Sequence, residues 1–195
     1  MGYNPFNSSL TIKELISRLD LLNDWLKENN NSANLLLIGG AALLINTLYE
    51  DIDYRTTRDI DVQYDLNNNA EELSKKFRLK MAQLDIDSYS DLIPDFQEIV
   101  EKQHHILFLE LSNLTVYTVS KLMLLCIKSL TDRTKDFEDV VESGLLNTLT
   151  DEELCYLVEI IEEYSEFLLN PNGINLHYRD VIDIIKEKRG DVHDC

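Results

Sequence analysis

Residues 34–44, NLLLIGGAALL, constrain the chain more than any other stretch. An apolar run breaks at Gly39-Gly40 and resumes with small and aliphatic residues, which is the pattern of a buried strand turning through glycine into a helix. Such a join leaves the first backbone N–H groups of the helix unpaired and gathers the positive end of its dipole there. Oxyanions are favoured at that point, and glycine lets them approach closely. After a stretch without clean period, YEDIDYRTTR, the sequence DIDVQY alternates strictly. Asp59, Asp61 and Gln63 share one face and Ile60, Val62 and Tyr64 the other, which predicts a strand preceded by a loop.

Alternation sets Asp59 and Asp61 roughly 6–7 Å apart at Cα, so that both carboxylates can address a pair of divalent cations ~4 Å apart. Hard oxygen ligands favour Mg²⁺, or Mn²⁺ in its place, and Mg²⁺ commonly shares its shell with substrate phosphates and water. Two further D-x-D triplets occur, Asp51-Ile52-Asp53 and Asp85-Ile86-Asp87. Neither is followed by strand alternation, so both read as solvated loop carboxylates.

Upstream, Leu10, Ile12, Leu15, Ile16, Leu19, Leu22, Trp25 and Leu26 recur at steps of three and four and predict an amphipathic helix. Residues 70–84 predict another. The segment DIDSYSDLIPDF reads as loop around Pro94, with a helical turn at 96–100, and HILFLEL and LTVYTV around Ser112-Asn113 predict a hairpin. The sheet would hold about four strands. Beyond Ser120 the sequence is helical throughout: SKLMLLCIKSL, KDFEDVVESGLL, a long run with Thr150 and Glu153 in capping-box register, and a last helix over 176–188 after Asn170-Pro171-Asn172-Gly173. The chain of 195 residues thus reads as an α+β fold, a small mixed sheet flanked by helices over 1–119, followed by a helical bundle over 120–195.

These motifs resemble the nucleotidyltransferase superfamily of the DNA polymerase beta type, and within it the AbiEii-like toxin branch. Superfamily members look like hG[GS], then hDh[DE]h, then a third carboxylate on a later strand. Here those are Ile38-Gly39-Gly40, Asp59-Ile60-Asp61-Val62 and Leu109-Glu110-Leu111. The branch is similar in an R-x-T-x-D-I-D element, met by Arg55, Thr57, Asp59 and Asp61. It is similar also in L-L-x-x-K followed by R-x-x-D-x-x-D, met by Leu124, Leu125 and Lys128, then Arg133, Asp136 and Asp139.

The resemblance implies that Asp59, Asp61 and Glu110 hold the metal, while Gly39, Gly40, Arg55, Thr57 and Arg133 receive a nucleoside triphosphate. Lys128 would answer triphosphate charge and Asp136 would orient the cations or the acceptor. Transfer of a nucleoside monophosphate to tRNA or to a protein is implied, as is a toxin role with a neutralising antitoxin partner. The rival expectation is a catalytically inactive binding module that works through a protein partner.

Composition bears on these alternatives. A net charge of −18 repels a nucleic-acid backbone unless cations such as Arg55, Arg58, Lys75, Lys76, Arg78 and Lys80 gather locally. Three scattered cysteines suggest neither a disulfide framework nor a zinc site, and no secretion signal or membrane span is legible, so a cytoplasmic protein is expected.

Overall fold

The computed structural model describes residues 10–55, 57, 59–89, 95–167 and 177–189. Arg58, the loop around Pro94 and the turn at Asn170–Gly173, all singled out in the sequence, lie outside the described residues. The chain divides into two compact units. The first comprises residues 1–45 and 55–119, the second residues 46–54 and 120–195.

In the first unit, α1 (Ile12–Glu28) is capped by Thr11, whose hydroxyl accepts from the Glu14 N–H at 3.2 Å. Its apolar stripe is fully buried at Leu15, Leu19, Leu22 and Leu26, each such side chain contributing about 1.5–3 kcal/mol. β1 (Ala33–Ile38) passes into α2 (Gly39–Tyr49), and β2 (Ile60–Leu66) is followed by α3 (Glu71–Gln83). The strand begins one residue after Asp59 and keeps the expected alternation, with Ile60 and Val62 buried and Asp61 only half-buried.

A strand then appears where loop was expected: β3 (Ile86–Ser88) lies parallel to β2. Two parallel strands need a crossover between them, and α3 supplies it. Arg18 supports the turn into β3: this buried side chain of α1 donates to the Leu84 carbonyl at 3.3 Å and to Glu14 at 3.3 Å. After α4 (Phe96–Glu101), β4 (His105–Glu110) and β5 (Leu114–Val119) form the hairpin around Ser112-Asn113. The sheet has five strands in the order β3-β2-β1-β5-β4, with β1–β2 and β4–β5 antiparallel and β1–β5 and β2–β3 parallel. Core residues of α1 and α3 cover the face carrying Leu35, Leu37, Ile60, Val62 and Val116.

The second unit is helical: α5 (Lys121–Ser129), α6 (Thr134–Glu142), a 3₁₀ turn at Leu145–Thr148, α7 (Asp151–Ser165) and α8 (Tyr178–Arg189). Residues 46–54, read from sequence with the sheet, belong here. Glu50 pairs with Lys121 at 2.9 Å, and Ile52 packs beside Gly144. The capping box forms as expected, with Thr150 and Glu153 each bonding the other's backbone. No helix among the described residues is long and apolar enough to cross a membrane.

Candidate active site

β1 becomes α2 with no loop between them, Ile38 closing the strand and Gly39 opening the helix. Gly39 takes φ +56, a left-handed value that costs an L-residue roughly 1–2 kcal/mol. A β-carbon at Gly39 would also collide with Asp61, falling 3.2 Å from its Cγ and nearer still to its Oδ2. At Gly40 a β-carbon would lie 2.5 Å from Thr57 Cβ and 3.0 Å from its Cγ2. The glycines serve different neighbours: Gly39 makes room for a strand carboxylate, Gly40 for a loop threonine.

Sheet register brings Asp61 there. It is the partner of Ile38 across the β1–β2 pair, so its carboxylate stands at the N-terminus of α2. Negative charge is favoured at such a helix end, typically by about 0.3–1 kcal/mol. Asp59 is exposed and immediately precedes β2. The Thr57 carbonyl accepts from the Leu10 N–H at 2.6 Å, which ties this loop residue to the segment before α1. Arg55, two positions earlier, is exposed.

β3 contributes a carboxylate that the sequence placed in a loop. The register pairs Ile60 with Ile86, Asp61 with Asp87 and Val62 with Ser88. Because Ile60 and Ile86 are both in the core, Asp61 and Asp87 project together from the opposite face, about 4.8 Å apart at Cα. Of the 85–87 triplet, Asp85 is a turn residue with φ +51 and only Asp87 joins the strand. A signal was available: a strand followed directly by the helix at 70–84 calls for a parallel return strand, and Ile86-Asp87-Ser88 stands where it must begin.

Asp59, Asp61 and Asp87 therefore come from two adjacent strand starts beside an anion-receptive helix end. Their hard oxygens suit a cation such as Mg²⁺. Among the described residues no group of three or more His, Cys, Asp or Glu side chains closes around a metal unaided. Such a donor set fits an ion that takes much of its shell from water and phosphate.

A family model described as "Nucleotidyltransferase of unknown function (DUF6036)" matches residues 13–186, a span that includes the glycine turn, both carboxylate strands and most of the helical unit. The chain belongs to this family. No curated protein matches the sequence.

Membership makes the chain a nucleotidyltransferase by family, which implies a nucleotide substrate. The third carboxylate expected of such a site, Glu110, is not brought to Asp61. Glu110 pairs with Thr115, which aligns with Asn34 and so with Asp65, four residues along β2 from Asp61 and three strands across. That separation is about 20 Å by strand rise and spacing, too far to share a metal ion. Glu110 sits at the wrong end of the sheet because β4 runs antiparallel to β5, so the strand's close, not its start, lies by the hairpin.

Lys128, Arg133 and Asp136 belong to the helical unit. Lys128 is buried at the end of α5, its ammonium 2.6 Å from Asp136 Oδ1 and 2.7 Å from Asp139 Oδ2. Thr131 donates to the other Asp136 oxygen at 3.1 Å. Arg133 is exposed, 3.6 Å from Asp136. The K…R-x-x-D-x-x-D pattern thus resolves into a buried ion triad with an arginine at its rim. The basic run on α3 is dispersed, as a helix requires: Lys76 pairs with Glu72 at 2.8 Å, while Arg78 faces a cleft along β2.

Proposed function

We propose that this nucleotidyltransferase is metal-dependent and moves a nucleoside monophosphate from a nucleoside triphosphate to an acceptor hydroxyl. The packing of Asp61 against Gly39 carries the proposal, because it puts a cation-binding carboxylate and a phosphate-receptive helix start within one side chain's length of each other. Asp59, Asp61 and Asp87 would hold Mg²⁺ or Mn²⁺, which would supply charge neutralisation at the triphosphate and acidify the acceptor hydroxyl. Gly39 and Gly40 offer backbone N–H groups to phosphate oxygens, with Thr57 and Arg55 at the loop side.

The acceptor oxygen attacks the α-phosphorus; a P–O bond forms as the bond to the bridging oxygen breaks, and pyrophosphate leaves with that electron pair. Asp87, exposed on the outer strand, would take the acceptor's proton. Lys128, Asp136 and Asp139 hold α5 to α6 rather than addressing phosphate, since the ammonium already answers two carboxylates.

Similarity to the AbiEii-like branch supports a toxin acting on tRNA or a protein, with an antitoxin partner. With a net charge of −18, an RNA acceptor would have to be met by local cations. The displacement of Glu110 taken alone would favour the non-catalytic binding module; Asp87 beside Asp61 favours transfer.

The test is incubation with each α-labelled triphosphate, Mg²⁺ or Mn²⁺, and total cellular RNA or protein. Label on a macromolecule that disappears with Asp61→Asn supports transfer. Nucleotide binding without label under every condition supports the binding module.

A further inference from the structure

β3 ends at Ser88, so beyond Val62 the outer edge of β2 has no strand partner among the described residues. A cleft of about 1060 Å³ runs along this edge, with Gln63, Ser88, Tyr89 and Arg78 in its walls. Its size suits a nucleoside-sized ligand. Gln63 is the unusual residue. It lies one pleat beyond Asp61 on the same face, about 7 Å away along the strand, and is only 5% exposed, yet its Oε1, closed off from solvent, has no hydrogen-bond partner among the described residues. A buried amide oxygen without a partner is costly, and native chains keep one chiefly where water or a ligand completes it. Packing does not call for glutamine here: its cross-strand neighbour is the fully buried Leu36, beside which an apolar residue would serve better.

A primary amide presents a donor and an acceptor side by side, the complement of a nucleobase edge. Tyr89 is held beside it, its N–H donating to the Val62 carbonyl at 2.9 Å, and is 51% exposed, which suits a ring on which a base stacks. The distance from Asp61 to Gln63 is the span that a ribose bridges between α-phosphate and base. We propose that Gln63 reads the nucleobase of the triphosphate, with Tyr89 as its stacking platform, so that base preference is set one pleat from the carboxylates. This rests on the transfer reading above.

Calorimetric titration of the full chain with Mg²⁺ and the α,β-methylene analogues of the four common triphosphates tests it, with inorganic tripolyphosphate as the base-free probe. Wild type should prefer one base at least tenfold over the weakest. Gln63→Leu should compress that ratio to within about threefold while leaving tripolyphosphate affinity unchanged, and Gln63→Met, closer in volume, should do the same if the leucine variant folds poorly. Equal affinity for all four bases in wild type, an undiminished ratio in both variants, or a parallel fall in tripolyphosphate affinity would overturn the assignment. Failure of wild type to bind tripolyphosphate and nucleotides alike would instead remove the transfer reading, and this assignment with it.

Discussion

The Asp61 carboxylate lies against the α-carbon of Gly39, closer than any β-carbon would allow. Because Asp61 is in the second strand of a five-stranded sheet and Gly39 has φ +56, neither side can yield easily. Gly39→Ala should therefore destabilise the chain by about 2–4 kcal/mol, combining left-handed strain with displaced packing. Gly40→Ala should cost less, since Thr57 sits in a loop that can shift. Urea unfolding midpoints of the two variants give the comparison, with Gly39→Ala expected to have the lower midpoint.

The Lys128 triad makes a second prediction. Removing one charge from a buried network leaves the others uncompensated, so Lys128→Met should cost about 3–5 kcal/mol. The triple variant Lys128→Met, Asp136→Asn, Asp139→Asn should recover most of that loss. Equilibrium denaturation of the single and triple variants tests it; equal stability of Lys128→Met and wild type would remove the structural role.

A third concerns acid. The Thr150 backbone N–H donates to Glu153 Oε2 at 2.8 Å and holds the Glu153 carboxyl below its ordinary value of 4.5. A carboxyl whose folded-state pKa is depressed contributes stability above its unfolded value, and that contribution is lost as pH falls through the folded value. Thr150→Ala should cost about 1 kcal/mol near neutrality. Glu153→Gln should be less stable than wild type near neutrality and converge with it in thermal melts well below pH 4.5.

Much of this architecture was legible from periodicity. α1, the strand–glycine–helix join, β2, the hairpin and the capping box each carry a local signal strong enough to survive tertiary context. β3 did not, because three residues give no alternation to count, and its pairing with β2 is fixed by the α3 crossover and by Arg18 beneath the preceding turn. Arg18 itself was hidden, a cation on an otherwise apolar helix stripe whose partners include the Leu84 carbonyl, 66 positions away, as well as the neighbouring Glu14. Without β3, Glu110 is the later strand acid that the motif pattern offers, and the register carries it to the far end of the sheet from Asp61. The Lys128 triad shows the converse, a motif read for chemistry whose residues meet as a buried ion network.

Titration of Mn²⁺ by electron paramagnetic resonance, with a nucleoside triphosphate present, probes the carboxylate set most directly. Asp61→Asn and Asp87→Asn should each weaken nucleotide-dependent Mn²⁺ binding by about tenfold or more, since loss of a hard oxygen ligand is poorly replaced by an amide. Glu110→Gln should bind as wild type does. Wild-type binding in Asp61→Asn, or a loss in Glu110→Gln that matches it, would contradict a metal centre built on Asp61 and Asp87.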